Sequence, residues 1–223
     1  MKMEIKICGI TNLNDALCVC SAGADAIGFI FYGKSPRYIA PETVKEIIKK
    51  LPDEVCKVGV FVNHDPKDVK EIFAHCGLTL IQLHGDESPE YCLQFPESLV
   101  IKGVSLKDSH DFLSLKDYSV RAFLVDSREK GVYGGTGKKS NWELAARVKK
   151  MHPLILAGGL SADNIVEAIA SVAPHAVDIN SGVEDSPGKK NAKKIKNIID
   201  MIRKIDKSQP KETPLYKPIF SVS

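Results

Sequence analysis

The feature that most narrows the fold is a recurrence: eight short apolar runs, each followed by a longer segment with helical spacing. The runs are Glu4–Cys8, Ala26–Phe31, Cys56–Val62, Leu78–Leu83, Leu99–Val104, Ala122–Asp126, Leu154–Ala157 and Ala176–Ile179. Short runs rich in Val and Ile fit strands buried on both faces, as in a parallel sheet. The intervening segments carry helix-start and helix-stop chemistry. Asn12 or Asn14 caps the first, Pro41 opens Glu42–Leu51, Asp65-Pro66 precedes Lys67–His75 with Gly77 at its end, and Ser88-Pro89 starts the next. Leu106–Leu115, Asn141–Met151, Ala162–Ser171 after Ser161, and Lys189–Ile205 complete the series. Eight βα units leave two architectures, a closed barrel or an open doubly wound sheet. An open sheet usually carries a glycine-rich fingerprint after its first strand. The first run here ends in Cys8-Gly9-Ile10-Thr11, which is no such fingerprint. The even spacing favours one α/β domain, a (β/α)8 TIM barrel with a parallel eight-stranded core, over residues 1–205.

From Asp206 the pattern stops. Residues 206–223 hold three prolines without an apolar period and read as an extended tail. The closing Ile219-Phe220-Ser221-Val222 is apolar, and the sequence leaves its docking on the barrel open. With 31 basic against 28 acidic residues, a net charge of +3 gives no case for nucleic acid or a membrane surface. The charged, alternating start lacks a secretory apolar run, and no stretch approaches the ~18 apolar residues of a membrane span. The expectation is a cytoplasmic protein. Six cysteines, with Cys18 and Cys20 two apart in a helical pattern, make a poor disulfide framework or metal pincer. Most are expected to be buried, reduced and inert.

In a closed barrel, catalytic groups gather at the C-terminal ends of the strands. Cys8 ends the first run, Ser35-Pro36-Arg37-Tyr38 follows the second, and His84-Gly85-Asp86-Glu87 follows the fourth. Asp126 ends the sixth, Gly158-Gly159 follows the seventh, and Asn180-Ser181-Gly182 follows the eighth. The two glycine-bearing loops read either as tight turns or as a phosphate site, where backbone N–H groups approach an anion closely. Their places after strands 7 and 8 favour phosphate binding by Gly158, Gly159, Ser181 and Gly182. Gly131–Lys138 fails the test for a nucleotide P-loop, because Val132 and Lys139 stand where glycine and Ser/Thr belong. A loop closing over substrate, or plain surface flexibility, are its two readings. Alternation turns Glu4, Lys6 and Cys8 inward, with Ile5 and Ile7 toward the helices, and likewise turns Asp126 inward. A free cysteine is usually a small buried apolar residue. Beside Lys6, however, its pKa is expected to fall, giving a thiol base and a carboxylic acid across one mouth.

Six segments, in order, resemble the phosphoribosylanthranilate isomerases of tryptophan biosynthesis. They are Lys6-Ile-Cys-Gly-Ile-Thr11; Gly28-Phe-Ile-Phe-Tyr32 with Ser35-Pro-Arg-Tyr38; Gln82-Leu-His-Gly-Asp-Glu87; Val125-Asp-Ser127 with Gly134-Gly-Thr-Gly137; Ala157-Gly-Gly-Leu160; and Val177-Asp178 with Ser181-Gly-Val-Glu184. Asn180 departs from an expected serine, Gly33 interrupts the loop before Lys34, and the tail lies outside the resemblance. The resemblance implies an Amadori rearrangement of a phosphosugar, with Cys8 as general base and Asp126 as general acid. Arg37 then meets the anthranilate group, and no cofactor or metal is needed. His84 lines the pocket or caps the strand-4 loop; Asp178 orients phosphate or ribose, or holds Lys6. A monomer is the family default. A metal-dependent epimerase would need His and carboxylate ligands at several strand ends, and only His84 fits. A phospholigand-binding protein without turnover would have no use for Cys8 and Asp126 together.

Overall fold

The computed structural model describes residues 2–106, 109–126, 142–208 and 217–221. The barrel strands are β1 (Glu4–Ile7), β2 (Ala26–Ile30), β3 (Cys56–Phe61), β4 (Leu80–Leu83), β5 (Val100–Val104), β6 (Ala122–Val125), β7 (Leu154–Leu156) and β8 (Ala176–Ile179). They pair in parallel in chain order and close, β8 against β1, into the expected TIM barrel. Around them lie α1 (Leu13–Ser21), α2 (Pro41–Ile48), α3 (Pro66–Cys76), α4 (Pro89–Cys92), α5 (Ser109–Ser114), α6 (Trp142–Lys149), α7 (Ile165–Val172) and α8 (Ala192–Ser208). The expected capping chemistry appears where a side chain can reach an orphan N–H. Asn12 accepts from Asp15 N–H, Asp65 from Lys67 N–H, and Ser88 from Tyr91 N–H.

Alternation along the strands sorts the core into two layers. Ile5, Ile7, Phe123 and Val125 pack with the helices, whereas Ala122, Leu124, Ile101 and Ile155 fill the barrel. All six cysteines are free thiols. Among the described residues no helix is long and apolar enough to cross a membrane.

Several stretches depart from expectation. The segment read as a helix from Lys189 opens instead as a hairpin, β9 (Glu184–Ser186) against β10 (Lys189–Lys190), and α8 starts only at Ala192. Lys190 is drawn inward by buried ionic partners and cannot sit on an exposed helical turn. The unit after Ser88 is a single turn, and α7 begins at Ile165 because Asn164 turns back, accepting from Ser161 N–H and donating to the Gly159 carbonyl. At the other end α8 runs through Asp206 to Ser208; the Asp206 carboxylate takes the Met3 N–H and the Arg203 guanidinium. The glycine-rich stretch 131–138, Ser127 and Asn141 lie outside the described residues.

Candidate active site

The residues at the mouth rise from the last rungs of the ladder. Cys8 N–H donates to the Ile179 carbonyl at 2.9 Å, His84 N–H to Phe61 at 2.8 Å, and Asp126 N–H to Val104 at 3.0 Å. Each backbone is thus fixed by the neighbouring strand while its side chain turns over the barrel. There a cavity of about 340 Å³ is lined by Cys8, Arg37, His84, Asp126, Gly158, Gly159, Asp178 and Ser181, together with Gln82 and Asn180. That size suits a small ligand. Of the residues anticipated from sequence, Gly182 alone is off the wall. A Cβ there would run into the Leu160 carbonyl, so glycine lets the strand-7 and strand-8 loops touch.

Gly158 and Gly159 both have left-handed backbones, φ 87° and 66°, which L side chains rarely adopt. Neither N–H donates a hydrogen bond to another described residue. Paired amides of this kind, beside the loop that carries Ser181, suit an anion.

The floor of the cavity is charged. Lys6 is fully buried and donates to Asp178 Oδ2 at 2.8 Å, a pair set by the direct register of the two residues on β1 and β8. Asp178 Oδ1 is buried without a partner among the described residues. The residue itself lines the cavity. Burial works against the Lys6 ammonium, yet Asp178 and Cys8 outweigh it and hold its pKa above the ordinary value. Cys8 itself departs from expectation. Burial pushes its thiol up, Lys6 and Lys190 pull it down, Asp178 opposes them, and the net direction is upward. The neighbouring cation visible in the strand is outweighed by desolvation and the Asp178 carboxylate.

His84 stands between Gln82 and Asp126. Its Nε2 lies 3.4 Å from Asp126 Oδ2, and its Nδ1 lies 3.0 Å from Gln82 Nε2. With the amide nitrogen donating to Nδ1, the imidazole proton sits on Nε2 and faces Asp126, and Gln82 Oε1 is left buried without a partner. Turning the amide over would move the proton to Nδ1 and make Nε2 an acceptor for a protonated Asp126. The loop that carries His84 is itself clamped: the buried Lys102 Nζ takes the Glu87 carboxylate at 2.8 Å and the Gly85 carbonyl at 2.9 Å.

Arg37 is oriented by the hairpin. Its Nε and Nη2 grip Glu184 at 3.0 and 2.7 Å, while Nη1 takes no partner among the described residues. Lys190 Nζ reaches Glu184 at 2.9 Å and the Asn180 side chain at 3.0 Å. Burial would raise the Glu184 pKa, but Arg37 and Lys190 hold it below the usual carboxylate range. Sequence reasoning gave no role to Gln82, Glu184, Lys190 or Lys102. The available signal was a charged residue inside an otherwise apolar strand, as at Lys6 and Lys102. Among the described residues no three His, Cys, Asp or Glu side chains come together as a metal site.

A family model described as N-(5'-phosphoribosyl)anthranilate isomerase matches residues 5–201. An N-(5'-phosphoribosyl)anthranilate isomerase of Syntrophus aciditrophicus is 54% identical over 90% of this chain and 87% of its own. The crystal structure of phosphoribosyl anthranilate isomerase from Thermotoga maritima superposes with a TM-score of 0.82 at 41% identity, covering 91% of this chain and 99% of that one. A structure of such an isomerase in complex with reduced 1-(o-carboxyphenylamino)-1-deoxyribulose 5-phosphate gives 0.79 at 39% identity, covering 91% and 99%.

Proposed function

The chain belongs to the N-(5'-phosphoribosyl)anthranilate isomerase family, and from that membership we propose that Asp126 and Cys8 carry out an Amadori rearrangement of N-(5'-phosphoribosyl)anthranilate. The product is 1-(2-carboxyphenylamino)-1-deoxyribulose 5-phosphate. The observation that carries the residue assignment is the convergence of a thiol from the end of β1 and a carboxyl from the end of β6 on one cavity.

Asp126 gives its proton to the ribose ring oxygen, the C1–O bond breaks, and the nitrogen lone pair forms a cationic Schiff base. The Cys8 thiolate removes the proton from C2, and the C2–H electrons neutralise the iminium to an enolamine. Loss of the O2 proton and protonation at C1 yield the ketone, so the reaction is a net isomerisation without redox change. This is general acid–base work, in which each group typically contributes ~10²–10⁴-fold. Lys6 and Lys190 favour the thiolate, and the Schiff-base cation adds positive charge when C2 must lose its proton. His84, with Nε2 3.4 Å from Asp126, is placed to orient that carboxyl. The Gly158-Gly159 amides and Ser181 suit the phosphate, Arg37 Nη1 the anthranilate carboxylate, and Asp178, which lines the cavity, a sugar hydroxyl.

The test is loss of fluorescence from freshly made phosphoribosylanthranilate. Cys8→Ala and Asp126→Ala are each expected to lower turnover by ~10²–10⁴-fold while inorganic phosphate still competes for binding. Wild-type rates in both variants would overturn the assignment.

A further inference from the structure

The end of the barrel opposite the mouth is built from small residues. Ala26, Cys56, Ala122 and Ala176 stand at the N-terminal ends of β2, β3, β6 and β8 and face inward. Four small side chains in one layer leave room that a close-packed core must fill. Ile219 and Phe220 fill it, at 2% and 3% exposure, as members of the same inner cluster.

The polar contacts are equally complete. The Glu4 carboxylate, turned inward at the base of β1, accepts the Ile219 N–H at 2.6 Å and the Phe220 N–H at 2.9 Å. Arg121, just before β6, donates to the carbonyls of Ile219 at 2.7 Å and Pro218 at 3.0 Å, and to Ser221 Oγ at 3.0 Å. One anion and one cation thus read consecutive backbone groups of a short segment, and two side chains anchor it. This segment lies beyond the family match, which ends at residue 201. The Thermotoga maritima barrel, matched over 99% of its length, spans 91% of this chain.

We propose that the barrel floor is a binding site for a short peptide held in a turn, occupied by the chain's own Pro218–Ser221, which clasps the barrel without entering its chemistry. The recognition is of backbone by charge and of an Ile-Phe pair by a hollow of alanines. It does not rest on the chemistry assigned to the mouth.

The experiment uses the full-length chain carrying Phe220→Asp, whose own segment is repelled by the apolar hollow and by Glu4. A fluorescein-labelled peptide of residues 213–223 is titrated into it and followed by anisotropy. Saturable binding is expected. Unlabelled peptide should compete with it, the Phe220→Asp peptide should not, and Arg121→Ala in the same chain should abolish it. The Phe220→Asp chain should melt roughly 5–15 °C below the unsubstituted protein, and saturating peptide should restore part of that loss. Turnover below the melt should be unchanged within about twofold. Should Phe220→Asp prevent folding, Phe220→Ala carries the melting and turnover arms. An unchanged melting temperature, absence of specific peptide binding, or a fall in turnover of the folded variant would each overturn the proposal.

Discussion

Replacing Lys6 by Met asks how one cation inside the barrel serves both the fold and the thiol. Lys6 is fully buried, and its ion pair with Asp178 is 2.8 Å long. Methionine keeps the packing and removes the charge, leaving the Asp178 carboxylate without its counter-charge. At an effective dielectric of about 20, the gross attraction at that distance is roughly 6 kcal/mol. Desolvation of the ammonium offsets part of it, and breaking such pairs typically destabilises by about 3–5 kcal/mol. For a chain of 223 residues, at about 2–4 °C per kcal/mol, this is a fall in Tm of roughly 6–20 °C. Lys6→Met with Asp178→Asn removes both charges and is expected to regain about half of that loss or more. The second consequence is chemical. Among the influences on Cys8, Lys6 is the largest that pulls the thiol down. Without it the thiol pKa rises further, and the ascending limb of kcat/KM against pH moves to higher pH, because the base acts deprotonated. Thermal unfolding by circular dichroism and the fluorescence assay across pH read the two effects separately. An unchanged Tm together with a pH–rate profile that superimposes on the unsubstituted one would refute both.

Two further tests probe groups farther from the reacting atoms. Glu184→Gln keeps the shape of the Arg37 anchor but removes its charge, leaving Arg37 and Lys190 as buried like charges. Loss of one charge-assisted hydrogen bond is expected to raise KM roughly ten- to hundredfold with a much smaller change in kcat; steady-state kinetics with KM unchanged would rule out the positioning role. His175 Nδ1 accepts the Leu154 N–H at 3.0 Å, and burial, with Lys149, lowers its pKa from 6.5 to about 4. The unfolded chain therefore takes up this proton before the folded one. The stability is fully present above pH 6.5 and is lost as pH falls toward 4. Partial exposure makes the loss only a fraction of the full shift. His175→Asn, which keeps an acceptor without a basic ring, should flatten the decline in Tm between pH 7 and 5; an identical slope in both chains would exclude His175 as its source.

The strands were legible because each is short, apolar and bounded by turn chemistry; β8 matches its predicted span, and most others differ by one residue at an end. The inward and outward faces followed from alternation alone, which is why Cys8 and Asp126 could be placed at one mouth. What escaped was pairing between distant residues. Arg37 and Glu184 are 147 positions apart, and Lys190 sat inside an apparent helical stripe whose period gave no sign of a buried partner. Local propensity carries no information about such contacts; only strand register after closure does. The Cys8 pKa failed for a related reason, since desolvation depends on everything packed around the sulfur and not on the one neighbour visible in the strand.

Closure itself explains why so much of the chemistry involves β1. Its inward positions, and Cys8 just past its end, meet groups from the C-terminal part of the chain: Glu4 meets the amides of Ile219 and Phe220, Lys6 meets Asp178, and Cys8 feels Asp178 and Lys190. A carboxylate and an ammonium in successive layers of one short strand, with a thiol just beyond them, would be a liability in an open sheet, where each would lie buried without a partner. Joining β8 to β1 supplies the partners for the upper two layers, and the C-terminal segment supplies them for the lowest. The polar residues that make β1 read poorly as a core strand are therefore the ones that require the barrel to close.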